Sequence, residues 1–371
     1  MRPKLSYYSY DSLENPWVSG GGALRDFEVL RRFAKQAEVT LYTGCYPGFK
    51  EENRDGVHIK GLGFGNSNGL CRLSFSLAAN FRMLFDNADA IGISPSIYAP
   101  ILAFLFRNRR SYLVMHHSVG SQSFRKFGLL GLMPFLYEII LLKSGCNYFI
   151  SNRALANRIK RRNPSAKVQL TSNGFDPALL ELQTKPSDPP FILFLGRFDI
   201  YMKGLDNLIK AYTEAAALKN VDLVLAGRST PENLEKIRTL IPESARSHVR
   251  LETDISEARK SELLSSCLFF CSPSRFEGFG IAALEANAAG KAALVTDTDG
   301  FRDSLALGET ALAVPPDDIH ALTAGMFRLI EDGSLRDDMG RKGRERAKAF
   351  GWDAIADREW NWVENILKGS A

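Results

Sequence analysis

Cysteine is scarce. Five residues, Cys45, Cys71, Cys146, Cys267 and Cys271, are scattered over 371 positions. An odd number with no compact framework argues against a disulfide scaffold and for a reducing compartment. Cys267 and Cys271 have no Cys or His at ligand spacing beside them, which argues against a zinc site. Long apolar runs are missing too. No window approaches the roughly 18 uninterrupted apolar residues of a bilayer span, and the opening MRPKLSYYSYDSLENPW has no apolar signal core. The expected address is therefore cytoplasmic. Compositional bias is absent: 45% hydrophobic, 24% charged and 11% aromatic residues exclude disordered, collagen-like and low-complexity classes.

What is present is enough chain for two cores. The net charge of +5 hides an asymmetry. Up to Lys185 there are 24 basic and 13 acidic residues, a net of +11; beyond it there are 23 and 29, a net of −6. A basic half and an acidic half suggest different partners, the basic one facing phosphates or an anionic surface.

Short apolar runs alternate with helical patterns. Glu38–Thr43, Asp89–Ile93, Tyr112–Met115 and Cys146–Ile150 read as strands in the first half. Lys185–Pro190 (KPSDPP) reads as a linker, since three of its six residues are proline. After it, Phe191–Leu195 (FILFL), Asp222–Ala226, Leu268–Cys271 and Ala292–Thr296 are short enough and apolar enough for strands buried on both faces. The pattern predicts an α/β protein of two doubly wound, Rossmann-like domains facing across a cleft, with ligands outside the carboxyl ends of the strands. The expected division is residues 1–184, residues 185–350 and a C-terminal helix, residues 351–371, whose tryptophans pack.

Two blocks carry chemistry. In SPSRFEGFGIAALE (Ser272–Glu285), Glu277 and Glu285 lie eight residues apart, and Gly278–Phe279–Gly280 leads into a helix from Ile281, with Glu285 expected two turns along it. A helix N-terminus beside a carboxylate suits a ligand with a phosphate between two hydroxyl-bearing rings, such as a nucleotide sugar. In LGRFDIYMKGLD, Gly196 permits close backbone approach, and Arg197 and Lys203 place two cations past a strand end, suited to a diphosphate.

Together, GRFDIYMKGLDNLIKAY, SPSRFEGFGIAALEANAAGK and the upstream SNGFD (Ser172–Asp176) resemble the retaining glycosyltransferases of family GT4, which have the GT-B fold. The Glu-x7-Glu spacing is that family's hallmark. The resemblance is tight over the second half and looser over the first. It implies that Gly196, Arg197 and Lys203 hold the donor diphosphate, that Glu277 contacts sugar hydroxyls, that Gly278, Phe279, Gly280 and Ile281 lie against sugar and phosphate, and that Glu285 holds the ribose. It places Gly20, Gly21 and Gly22 near phosphates or acceptor. It makes His116 a residue that hydrogen-bonds the donor sugar, with Glu277 the second catalytic candidate; His117 and Asn173 are further candidates. The family usually has a single histidine at that place, so the His116–His117 pair is a departure.

Thr296–Gly300 (TDTDG) carries Asp297 and Asp299 in a D-x-D arrangement, which another glycosyltransferase fold uses for metal. Here it reads as a glycine turn near the nucleotide, and no metal is expected because cations and helix termini neutralise the diphosphate. The expected reaction moves a sugar from a donor such as a UDP- or GDP-sugar to an acceptor hydroxyl with retention. No clear carboxylate nucleophile is visible, so a same-face route assisted by the leaving phosphate is preferred.

The acceptor is expected to be a sugar or a lipid-linked sugar in cell-surface polysaccharide or glycolipid synthesis. Phe127–Leu142, flanked by Arg125–Lys126 and Lys143, and the basic groups at Arg107, Arg109, Arg110 and Arg158–Arg162 suit an anionic membrane; a buried helix is the other reading of that stretch. Nucleic acid is not expected, since no recognition motif accompanies the charge. The alternative function is a catalytically silent sugar-nucleotide-binding or membrane-surface scaffold protein.

Overall fold

The computed structural model describes residues 2–18, 20–95, 100, 102, 110–116, 128–143, 147–216 and 220–368. His117, Arg107, Arg109, Arg125, Lys126, Phe127 and Cys146 lie outside the described residues. The chain divides into two compact units, one of Met1–Asn173 with Trp352–Ala371 and one of Gly174–Gly351.

The first unit is built on an eight-stranded sheet of order β3-β4-β2-β1-β5-β6-β7-β8. The strands are β1 (Lys4–Ser9), β2 (Glu38–Gly44), β3 (Glu52–Arg54), β4 (Val57–Leu62), β5 (Ala90–Ser94), β6 (Ser111–Met115), β7 (Asn147–Ile150) and β8 (Lys167–Leu170). All pairings are parallel except β3 with β4. Alternate residues separate two cores. Tyr8, Ile91, Ile93, Leu113 and Tyr148 face α2 (Asn68–Leu84), α3 (Leu132–Lys143) and α4 (Arg153–Arg162). Tyr7, Ala90, Tyr112, Val114 and Phe149 face α1 (Gly21–Phe33) and the C-terminal helix, Trp352–Leu367. That helix buries Trp352, Ile355, Trp360 and Val363, and Trp360 meets Phe33 edge-on at 5.1 Å.

The second unit holds six parallel strands in the order β11-β10-β9-β12-β13-β14. They are β9 (Phe191–Leu195), β10 (Asp222–Gly227), β11 (Val249–Thr253), β12 (Phe269–Ser272), β13 (Ala293–Thr296) and β14 (Ala311–Val314). Counted from β9 this is the Rossmann order 3-2-1-4-5-6, whose switch point lies between β9 and β12. Every residue of FILFL is buried because helices cover both faces. One face carries α6 (Leu205–Ala216) and α11 (Ile319–Glu331), which follow the short α5 (Ile200–Lys203); the other carries α8 (Glu257–Ser266) and α9 (Ile281–Ala288). The helices α7 (Pro231–Leu240), α10 (Asp299–Ser304) and α12 (Gly333–Ala347) complete the unit, and the C-terminal helix is α13.

Two expectations need correction. The division falls between Asn173 and Gly174, not at 184/185. Phe175 and Leu179, before the prolines, are already buried in the second unit's core, so KPSDPP is a loop within that unit. The helix after Gly280 starts at Ile281, so Glu285 lies just over one turn along it, not two.

Candidate functional site

At the switch point of the second unit, β9 ends in Leu195 and the chain turns at Gly196, whose φ is +155°. A Cβ on the neighbouring Gly227 would stand 2.0 Å from the Gly196 carbonyl oxygen, so the two strand ends meet backbone to backbone. Arg197 follows, exposed and without an ion pair among the described residues. Asp199 caps α5, accepting from the Met202 N–H at 3.0 Å, and α5 delivers Lys203 as its last residue. Gly204 then adopts a left-handed conformation 2.1 Å, measured from its hypothetical Cβ, from the Pro273 carbonyl oxygen. No side chain fits there, so the turn after α5 lies directly on the loop after β12.

That close approach has a consequence. Lys203 Nζ lies 2.8 Å from Glu277 Oε2, and both side chains remain partly accessible, at 23% and 14%. The two residues expected to hold phosphate and sugar form one ion pair. Arg275 clamps the same loop, reaching Asp206 at 2.8 Å, Asp317 at 2.6 Å and the Tyr201 carbonyl at 2.9 Å. Gly278 donates to Glu277 Oε1 at 3.2 Å. Phe279 turns inward, 3% exposed, into the core. Gly280, at φ +85°, opens α9 with no side-chain cap, so the first N–H groups of the helix from Ile281 onward lack a capping side chain. A Cβ on Gly300 would stand 2.4 Å from the Glu277 carbonyl oxygen; the TDTDG turn therefore backs onto the Glu277 loop.

Asp297 and Asp299 do not point together into this site. Both bond to Arg302, at 2.7 and 3.4 Å, and the Arg302 hydrogen bond holds the Asp297 carboxyl below its ordinary range.

Glu285 is 6% exposed and bonds to Lys260 Nζ at 2.8 Å. Burial raises its carboxyl above the ordinary range, Lys260 opposes the shift, and Glu257 and Asp176 add to it. Lys260 also pairs with Glu257 at 2.6 Å. Sequence reading missed Lys260 and Arg275, because neither stands in a glycine-rich or carboxylate-spaced pattern that would mark it.

In the first unit, Gly20, Gly21 and Gly22 open α1 without a side-chain cap. They lie beside the β1–β5 switch point of that sheet. His116 follows β6. Its Nε2 is 3.1 Å from Ser94 Oγ, at the end of β5, and 3.2 Å from Asp26 Oδ1 on α1. Neither Asp26 nor Ser94 was singled out in the sequence. The neighbouring Arg25 is 1% exposed and forms a buried ion pair with Glu359 of α13, which also accepts from the Thr171 hydroxyl. Asn173 is buried, and its Oδ1 has no partner among the described residues. The structure thus gathers Gly196, Arg197, Lys203, Glu277, Gly278, Gly280 and Ile281 at one switch point, with Glu285 one turn into α9. It gathers Gly22 and His116 at the other.

The first unit also exposes apolar side chains. Leu70, Leu73, Leu77, Phe81 and Leu84 line the outer face of α2, four of them at least 58% exposed, while Cys71, Phe75, Ala79 and Met83 fill the core on its inner face. Leu132, Met133, Leu136 and Ile140 are exposed on α3, which buries only Pro134, Leu141 and Leu142. The described part of the stretch read from sequence as either membrane-facing or buried is thus partly exposed and partly buried. Among the described residues no helix is long and apolar enough to cross a membrane.

Comparison with known proteins agrees with this geometry. The family described as "Glycosyl transferases group 1" matches residues 178–346. A phosphatidyl-myo-inositol mannosyltransferase of Mycolicibacterium smegmatis is 30% identical over 183 residues, covering 49% of this chain and 46% of the relative. An MMP alpha-(1->4)-mannosyltransferase of Mycolicibacterium hassiacum is 29% identical over 44% of this chain and 40% of its own. The alignments span less than half the length of these relatives. Over the whole chain the fold is that of solved structures. Sucrose-phosphate synthase of Thermosynechococcus elongatus superposes with a TM-score of 0.84 at 20% identity, covering 100% of both chains. Anabaena HepE, in complex with UDP-glucose, gives 0.77 at 16% identity over 98% of this chain and 100% of its own. With its two doubly wound α/β units the fold is GT-B, and residues 178–346 carry the match to the glycosyl transferases group 1 family.

Proposed function

We propose that the protein is a retaining, GT4-type hexosyltransferase that moves a sugar from a nucleotide diphosphate to a hydroxyl of a saccharide or lipid-linked acceptor at the inner face of a membrane. The observation that carries this reading is the Lys203–Glu277 pair, 2.8 Å apart, beside the uncapped start of α9 at the β9–β12 switch point. The mannosyltransferase relatives and the UDP-glucose bound to HepE support a sugar-nucleotide donor.

In this reading the donor diphosphate takes Lys203 as a partner, and Glu277, released from it, accepts from sugar hydroxyls. Arg197 supplies a second, bidentate cation and α9 supplies backbone N–H groups. The positive charge stabilises the departing diphosphate, which takes the acceptor proton as the new bond forms on the same face. Glu285, held by Lys260, receives the ribose. His116 is assigned a hydroxyl of the donor sugar. Charge neutralisation rests on Arg197, Lys203 and α9; Asp297 and Asp299 are engaged by Arg302.

The membrane part of the reading rests on the apolar outer faces of α2 and α3. Exposed apolar area on this scale marks an interaction surface. Between Gly56 and Lys143, which spans both helices, nine basic residues stand against three acidic ones, Asp86, Asp89 and Glu138. Exposed apolar faces in a basic stretch of chain suit an anionic lipid surface.

The test is a thermal-shift screen against UDP-, GDP-, ADP- and dTDP-sugars, followed by nucleotide release. A donor raises the melting temperature by binding only the folded state. One nucleotide series stabilises the wild type, and nucleotide is released with an acceptor present. Glu277→Ala keeps the fold and abolishes release. Stabilisation without release under any acceptor identifies the silent binding protein instead, and no stabilisation by any series removes the donor site.

A further inference from the structure

The buried carboxylate of Asp26 has no place in the reading so far. Asp26 is 3% exposed, in the second turn of α1. A carboxylate in such a place is costly unless a partner needs its charge. Arg25, its neighbour at 3.5 Å, is already matched by Glu359. The group left for Asp26 is His116, whose Nε2 lies 3.2 Å from Oδ1, at ion-pair distance though without hydrogen-bond alignment to either carboxylate oxygen.

The ring is held from other sides as well. Ser94 Oγ is 3.1 Å from the same Nε2, and the Ser151 hydroxyl donates to the His116 carbonyl oxygen at 3.3 Å. A Cβ on Gly22 would stand 3.1 Å from His116 Cδ2, so the first turn of α1 lies close against the ring and a side chain at position 22 would press on it. His116 keeps 19% of its side chain accessible, and no hydrogen bond to Nδ1 is made among the described residues. The electrostatics agree. Burial alone would raise the Asp26 carboxyl, but the His116 imidazole, with Arg25 and the Tyr7 hydroxyl, more than offsets this and holds it below the ordinary carboxylate range.

We infer that Asp26 is a positioning residue for His116: together with Ser94 it fixes the imidazole through Nε2 and leaves Nδ1 as the nitrogen offered to a bound sugar. A carboxylate behind an imidazole sets which ring nitrogen carries the proton. The inference rests on the reading of His116 as a donor-sugar contact.

The test has two arms. In the first, the full chain is labelled with 15N-histidine; it has five histidines, and His116→Gln assigns the signal. In the wild type at a pH where the ring is neutral, Nε2 carries the proton and Nδ1 is bare. Asp26→Asn changes the His116 ring shifts and leaves those of His58, His248 and His320 in place, and Asp26→Glu restores part of the wild-type pattern. A proton on Nδ1 in the wild type, or His116 signals unmoved in a folded Asp26→Asn protein, overturns the pairing. The wild-type spectrum decides even if the variant fails to fold.

The second arm uses whichever sugar nucleotide the wild type turns over. Asp26→Asn lowers kcat by about ten- to a hundredfold while donor affinity stays within a factor of about two. An unchanged kcat, or equal losses in both, overturns the positioning role. A wild type that turns over no sugar nucleotide defeats the functional reading, and the first arm then decides the pairing alone.

Discussion

At Glu285 the site carries a charge that costs the fold something. Burial raises the carboxyl above its ordinary value, and Lys260 at 2.8 Å opposes that rise without cancelling it. An acid whose folded pKa is raised withdraws stability as pH climbs past the unfolded value and through the folded one. Gln at this position does not titrate, and Lys260 keeps Glu257 at 2.6 Å. The melting temperature of Glu285→Gln relative to wild type therefore increases as pH goes from about 4 to about 8. The same variant loses the thermal-shift response to a sugar nucleotide. Melting curves at a series of pH values, with and without donor, measure both effects. A pH-independent difference would show that Glu285 carries no raised pKa.

At the scale of the element, α13 is anchored to the first unit by more than its tryptophans. Glu359 forms an ion pair with Arg25, at 3% and 1% side-chain exposure, and accepts from Thr171. Glu359→Ala leaves the Arg25 guanidinium buried with Asp26 as its remaining acidic neighbour among the described residues, and the expected loss is about 3–5 kcal/mol in urea unfolding. Replacing both partners, Arg25→Met with Glu359→Leu, removes the unmatched charge and recovers most of that loss. A single variant as stable as wild type would mean the pair is not formed.

The same helix shows what a sequence exposes to reading. The C-terminal stretch has helical periodicity, and the structure makes a helix of Trp352–Leu367 within it. The second unit was legible for a related reason: FILFL and its parallel neighbours are buried on both faces, so they stand out as short apolar runs. The central strand of the first unit was not legible. Lys4–Ser9 (KLSYYS) carries two serines and two tyrosines, and only the sheet shows that Tyr7 and Tyr8 fill opposite cores. Glu277, Lys203 and Glu285 could be found from motif spacing. Lys260, Asp26 and Ser94 could not, because each reaches its partner across elements far apart in sequence.

The molecule as a whole divides its charge, +11 up to Lys185 and −6 beyond it. The acidic remainder contains the Lys203–Glu277 pair, so the basic excess lies in the other part of the chain. The same basic stretch of the sequence carries α2 and α3, on which Leu73, Leu77 and Phe81 are 58%, 62% and 67% exposed. A lipid surface asks for area and charge without shape complementarity, and both are present. The full chain should therefore sediment with vesicles containing phosphatidylglycerol more than with phosphatidylcholine alone, and less as salt rises. Exposed positions add little to folding, so Leu73→Ser with Leu77→Ser and Phe81→Ser leaves the melting temperature nearly unchanged. The three side chains together contribute on the order of 3 kcal/mol when their apolar area leaves water, so vesicle binding falls by at least about tenfold. Equal binding to neutral and anionic vesicles would remove the electrostatic part of the argument. A concentration-dependent dimer in gel filtration, abolished by the triple variant while vesicle binding is unaffected, would assign the apolar faces to a second copy of the chain.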